Sequence, residues 1–297
     1  SGERAMVVTI LLGALGLVAL AYAILLWRTA AAKGAGRPSL EGIGLGAITN
    51  FFDTLGIGSF APTTAWIKLR RLTPDSYIPA TLNSGHALPT MAQSGIFIVL
   101  LGVSVDPVLL ASCVGAAVLG AAVGAPLVLK APVRLVQGMI GLALVIAACL
   151  YAAANLDLMP VGGSASGLEG PALWLAIAAH FVLGALMTFG IGLYAPSLIL
   201  LSLMGLDPRL AFPVMASACA FLMPVGAFRF VRSERIDLRL VLGLALGGVP
   251  AVLLAAFVVK ELPVETLRWG VVAVALYAAV LLLLAAIRPS QAEDAET

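Results

Sequence analysis

The stretch Thr54-Leu-Gly-Ile-Gly-Ser-Phe-Ala-Pro62 returns as Thr188-Phe-Gly-Ile-Gly-Leu-Tyr-Ala-Pro196, 134 positions later and without a gap. The register holds onward: Leu72 falls on Leu206, Pro74 on Pro208, Pro79 on Pro213 and Leu88 on Leu222. From Thr54 to Thr90, 11 of 37 positions are identical under this shift. Shared composition does not align prolines, so the chain carries two copies of one unit. Solenoid repeats recur every 20–50 residues or so; a period this long marks a duplicated fold instead.

Working outward, the copies are made of apolar runs of about 20 residues, the length that spans a hydrocarbon core of about 30 Å as a helix. Of the 297 residues, 61% are hydrophobic and 11% charged, against about 25% charged in a soluble domain. The runs are continuous rather than alternating, which indicates helices and not a barrel. The fold class is therefore all-α, a polytopic helical membrane protein. A first span covers Ala5–Trp27, too long for a signal-peptide core. Long Gly- and Thr-rich segments cover residues 40–69 and 172–204. The remaining spans fall at residues 76–101, 107–129, 133–153, 208–230, 238–259 and 266–287. The organisation reads as an extra helix and loop (1–38), a first repeat (39–154), a Gly/Ser-rich linker (155–171), a second repeat (172–288) and a polar tail (289–297) that is expected to be disordered.

Net charge is +2 and no stretch resembles a nucleic-acid surface. Cys113, Cys149 and Cys219 lie inside apolar runs without CxxC spacing and read as core residues. Neither a cofactor nor a metal site is expected. Gly42-Ile-Gly-Leu-Gly46 mimics a dinucleotide fingerprint, but no strand precedes it.

Positive charge decides the topology, because Lys and Arg in short loops favour the cytoplasm. If each long segment crosses once, these residues split nine to eight between the sides. If each bends at its Gly-Ile-Gly and returns, only Arg4, Arg209, Lys260 and Arg268 lie outside, and the other thirteen of 17 lie inside. The hairpin reading gives a proper bias. It leaves seven full spans, the N-terminus outside and the C-terminus inside. Each repeat is then a re-entrant hairpin plus three spans, and because three is odd the second repeat is inverted. Inverted repeats with broken helices are a signature of secondary transporters.

At each tip, Pro62 or Pro196 is expected at the first position of the returning half-helix, where its missing N–H costs nothing. The N–H groups of residues 63–65 and 197–199 would then point into the tip, where helix starts favour anions. The hydroxyls of Thr54, Ser59, Thr63, Thr64, Thr188, Tyr194 and Ser197 add donors, and Gly56, Gly58, Gly190 and Gly192 let the backbone approach closely. No Lys or Arg sits at the midplane. Gly, Ser and Thr also serve helix packing, but their duplication as a unit favours a site. Ionisable groups inside spans are expensive and functional by default. Asp53, one residue before the first tip, and His86, in Asn83-Ser-Gly-His86, are the expected proton-coupling residues, with His86 and Asn83 also contacting substrate. Asn50 lies one turn before Asp53, and Gln93 lies two turns beyond His86. His180 lies on the opening arm of the second hairpin. Met187 aligns with Asp53 and Ala220 with His86, so the site is asymmetric in chemistry.

The paired Gly-x-Gly…Ala-Pro tips, each followed by a Leu-x-Pro loop, resemble the sulfite exporter TauE/SafE family, also called the 4-toluene sulfonate uptake permease family. The resemblance runs from about Ser39 to Ile287. It implies transport of sulfite or organosulfonates such as sulfoacetate, with a proton as coupling ion, in a bacterial cytoplasmic membrane. The expected partners are a small anion, the lipid bilayer and a proton; a second copy of the chain is a further candidate partner. The alternative reading is a transporter of a cation or amino acid anchored on Asp53. An enzyme lacks support, since there is no HExxH, no GxSxG and no cluster of nucleophile and base.

Overall fold

A computed structural model describes residues 2–54, 58–101, 104–158, 163–258 and 264–287. It is all-helical. Apart from a single bridge between Ala165 and Leu206, there is no β-structure among the described residues. The first repeat contains α2 (Leu40–Thr54), α3 (Phe60–Arg70), α4 (Ile78–Gly85), α5 (Ala87–Leu101), α6 (Pro107–Lys130) and α7 (Val133–Asn155). The second contains α8 (Gly170–Met187), α9 (Tyr194–Leu203), α10 (Pro208–Phe230), α11 (Leu238–Val258) and α12 (Val264–Ile287). Helix α1 (Gly2–Ala32) precedes both. The polar tail lies outside the described residues.

Among the described residues, six helices are long and apolar enough to cross a bilayer: α1, α6, α7, α8, α10 and α11. One expected span is corrected. The run at residues 76–101 is not continuous but breaks at His86 between α4 and α5. Pro89 has no N–H for the Gly85 carbonyl and its ring crowds that carbonyl. Proline alone does not set the break, because α10 holds Pro213 and Pro224 and stays helical. The first copy adds Gly85, whose bare backbone faces the side chain of Leu244. The break is repaired from outside: the buried Tyr22 hydroxyl of α1 donates to the Ser84 carbonyl at 2.7 Å. A second correction concerns Cys149, which is exposed on α7, whereas Cys113 and Cys219 are buried.

Helix pairing follows the duplication. Under the 134-residue shift α2 corresponds to α8, α4–α5 to α10, α6 to α11 and α7 to α12. Helix α2 packs on α11 while α8 packs on α6, so each copy lays its opening helix against the other copy. The self-corresponding pairs α7 with α12 and α5 with α10 also pack together. Glycine makes the closest of these contacts. A Cβ on Gly247 of α11 would collide with the Ile43 carbonyl of α2, and one on Gly120 of α6 would collide with the Phe181 carbonyl of α8. With lipid on one side and protein on the other, such close backbone contact is what drives helices together.

The ends of each long segment meet. Glu41, at the start of α2, accepts from the Trp66 indole at 3.0 Å and from Arg70 Nε at 2.9 Å, both near the end of α3. Around the second segment, Ala165 N–H donates to the Gly205 carbonyl at 3.2 Å and Asp207 N–H to the Ala165 carbonyl at 2.9 Å. The expected linker is thus pinned, at Ala165, to the end of α9. Helices α3 and α9 stop the same way at corresponding positions, with Arg71 (φ 51°) and Gly205 (φ 91°) in left-handed conformation.

Gly247→Ala is expected to destabilise the purified protein by about 1–3 kcal/mol through overpacking, measured as a lowered thermal midpoint in detergent. Gly115→Ala, whose Cβ meets nothing within 4 Å, is the control and is expected to be neutral or up to about 1 kcal/mol stabilising.

Candidate functional site

Gly58 of the first tip and Gly190 to Gly192 of the second reach one cavity. Helix α8 closes in a Schellman motif: Gly190 (φ 97°) donates to the Met187 carbonyl at 2.9 Å and Ile191 to the Leu186 carbonyl at 3.4 Å. Helix α9 starts at Tyr194. At the first tip Gly58 (φ 84°) leads into Ser59, the residue that precedes α3. The expectation for Gly56 lies outside the described residues.

The position of the prolines is corrected. Pro62 and Pro196 are the third residues of α3 and α9, not the first. Thr63 N–H already donates to the Ser59 carbonyl at 3.1 Å and Ser197 N–H to the Leu193 carbonyl at 3.0 Å. The N–H groups without an intrahelical acceptor are therefore those of the first turn, at Phe60 and Ala61 and at Tyr194 and Ala195, rather than residues 63–65 and 197–199. A helix leaves its first few N–H groups unused, so proline costs no bond at the third position either.

The cavity measures about 70 Å³. One water needs roughly 10–15 Å³ of such space, so it holds a few waters or one small polyatomic ion. Gly58 to Ala61 line it from the first tip, and Gly190 to Tyr194 with Pro196 line it from the second. Asp53 closes it from the end of α2, Thr90 from α5 and Cys219 from α10; α7 supplies a wall that includes Tyr151. No Lys or Arg is among the lining residues. Asp53 is 3% exposed, and its carboxyl faces the Ser59 N–H, the Ser59 hydroxyl and the Gln93 amide. The Gln93 amide also donates to the Asp53 carbonyl at 3.4 Å. The Tyr194 hydroxyl is buried with no hydrogen-bond partner.

Several expected site residues stand behind the tips instead of lining the cavity. Thr54 donates to the Asn50 carbonyl at 2.9 Å and Thr188 to the Ala185 carbonyl at 2.6 Å. Thr64 is buried in α3. Asn83 donates to the Pro79 carbonyl at 2.9 Å and to the Met187 carbonyl at 3.1 Å, tying α4 to the end of α8. His86 is fully buried, with Nδ1 3.0 Å from Asn50 Oδ1 and Nε2 3.0 Å from Thr63 Oγ1. The amide oxygen only accepts, so Nδ1 carries the proton and Nε2 accepts from the Thr63 hydroxyl. His180 repeats this arrangement: Nδ1 donates to the Ala176 carbonyl at 2.8 Å and Nε2 accepts from Ser197 at 2.9 Å. Thr63 and Ser197 are equivalent residues of the two copies, but their histidines come from non-equivalent helices. Sequence reasoning gave His180 no place in the site, because its partner Ser197 lies 17 residues away across the tip. It also missed Thr90, Tyr151 and Cys219, which only packing brings to the cavity.

Residues 172–297 match the profile of the sulfite exporter TauE/SafE family. The match is to a TauE/SafE domain and covers less than half of the chain. That domain begins two residues into α8 and contains the second tip, and the internal repeat relates the first half to it. Members of the TauE/SafE family are membrane permeases rather than enzymes, in keeping with the long apolar helices. No curated protein and no solved structure matches the chain.

Thr63→Val is expected to leave the buried His86 Nε2 without a donor and to cost about 1–3 kcal/mol, while Thr63→Ser retains most of the stability. Thermal unfolding of the two variants side by side checks this, and equal loss in both would remove the hydroxyl–imidazole bond as its cause.

Proposed function

We propose that the protein is a secondary transporter of small sulfur-containing anions, sulfite or organosulfonates such as sulfoacetate, coupled to protons. The observation that carries this reading is the meeting of Gly58 to Ala61 with Gly190 to Tyr194 at one small cavity whose donors are helix starts and hydroxyls. The TauE/SafE domain supports the substrate class, and a volume of about 70 Å³ favours the smaller anions. The anion would lie against the N–H groups of Phe60, Ala61 and Tyr194, with the Ser59 and Tyr194 hydroxyls, while Gly58, Gly190 and Gly192 keep the backbone close. Thr63, Thr64, Ser197, Asn83, Thr188 and Thr54 hold the tips in shape, and His86 with His180 fixes the two hydroxyls beside the prolines. Asp53 would carry the proton, being the one acid among the described residues that line the cavity.

The same reading makes residues 39–154 and 172–288 inverted repeats with re-entrant hairpins, the N-terminus outside and the C-terminus inside a bacterial cytoplasmic membrane. The contacts of Glu41 with Arg70 and of Ala165 with Gly205 favour hairpins over single crossings. Alternating access would come from one half rocking against the other around the tips. A second reading, transport of a cation or amino acid, is favoured by the acidic Asp53 in a cavity without a basic residue.

Proteoliposomes loaded separately with sulfite, sulfoacetate, sulfate, taurine, chloride and a divalent metal cation decide between these. Saturable flux of sulfite or sulfoacetate is expected, at least tenfold above protein-free vesicles and stimulated by a pH gradient, with the stimulation lost in Asp53→Asn. Flux of taurine or of a metal cation, with none for the sulfur anions, would establish the second reading.

A further inference from the structure

Building on the anion-transport reading, we propose that the Asp53 carboxylate is a built-in occupant of the first tip. An anion then enters only by displacing it, and the proton that neutralises Asp53 is taken up in the same step.

The geometry begins with what the carboxylate faces. It looks at the Ser59 N–H, the Ser59 hydroxyl and the Gln93 amide, which are donors suited to a small oxyanion. Ser59 immediately precedes α3, so the carboxylate sits where an anion at that helix start would sit. The second tip has none of this apparatus. Under the 134-residue shift Asp53, Ser59 and Gln93 become Met187, Leu193 and Ala227. The first tip is thus filled from within, and the second is left open to the cavity.

Charge then makes the two occupants exclusive. Asp53, Gly58 to Ala61 and Gly190 to Tyr194 line a single cavity of about 70 Å³ with no Lys or Arg among the described residues of its wall. Two negative charges at such separation in a poorly screened site repel strongly. The other titratable groups facing Asp53 are Tyr194 of α9, Cys219 of α10 and Tyr151 of α7, and none of them supplies a positive charge. Entry of an anion is therefore matched by protonation: one O–H bond forms on Asp53, the neutral carboxyl withdraws from Ser59, and the Ser59 donors pass to the anion. The protonated carboxyl becomes a donor and needs an acceptor. Gln93 is 1% exposed, and its Oε1 is buried without a hydrogen-bond partner. Rotation of that amide would present the oxygen to Asp53.

Calorimetry on the purified full chain tests this, with methanesulfonate as the probe because it does not titrate near neutral pH. In buffers of different ionisation enthalpy, the wild type is expected to take up close to one proton per anion. Its affinity should fall about tenfold per pH unit above the midpoint. Asp53→Asn should bind without proton uptake and without pH dependence. Ser59→Ala keeps the acid but weakens its hold on the tip, so the midpoint should move to higher pH. Equal proton uptake in the wild type and Asp53→Asn, or an unmoved midpoint in Ser59→Ala, would overturn the displacement while leaving anion transport standing. If neither methanesulfonate nor sulfite binds the folded wild type or Asp53→Asn, the anion reading falls and this inference falls with it.

Discussion

A backbone N–H or C=O at membrane depth has no water to bond, and every interrupted helix exposes several such groups. The region around the cavity is arranged by that constraint. Helix α8 ends with its last carbonyls bonded through Gly190 and Ile191. Helices α3 and α9 place proline where no N–H is needed. The break at His86 borrows the Tyr22 hydroxyl from α1, which gives the extra N-terminal helix a structural task beyond crossing the bilayer. The first-turn N–H groups of Phe60, Ala61 and Tyr194 have no acceptor within their own helices, and these residues line the cavity.

Satisfying the backbone fixes local shape, but holding the interrupted helices together needs close approach. Gly247 against Ile43 and Gly120 against Phe181 bring α11 to α2 and α6 to α8 at backbone distance. Each opening arm is thereby clamped by a helix of the other copy. Gly58 to Ala61 and Gly190 to Tyr194 line one cavity, and each arm leading to them is packed against a helix of the other copy.

On this near-symmetric backbone the chemistry is uneven. Thr63 and Ser197 are related by the duplication and both donate to an imidazole nitrogen, yet His86 follows its hydroxyl in the chain and His180 precedes its own. The same physical need, a buried acceptor for a buried hydroxyl, has been met twice from different helices. Asp53, Ser59 and Gln93 have no counterparts in the second copy, so the two tips offer unequal environments to whatever the cavity holds.

The sequence by itself determined the all-helical membrane class, the duplication, the extent of most helices and the two Gly-Ile-Gly tips, because hydropathy, proline register and glycine are local signals. It singled out Asp53 and His86, since a titratable group in an apolar run stands out wherever the run folds. Tertiary structure alone decided which of these groups meet. His86 was legible as unusual, but its place behind the tip depends on Asn50 and Thr63, 36 and 23 residues away. The break at His86 was hidden because an apolar run reads as one span whether or not its backbone is continuous. Cys219, Thr90 and Tyr151 reached the cavity wall through helix packing, and Cys149 faced outward for the same reason. A residue's type fixes what it can donate, accept or titrate, whereas its partner is fixed by which helix faces lie against each other, and the near-uniform apolar runs of a membrane protein leave those faces almost unmarked.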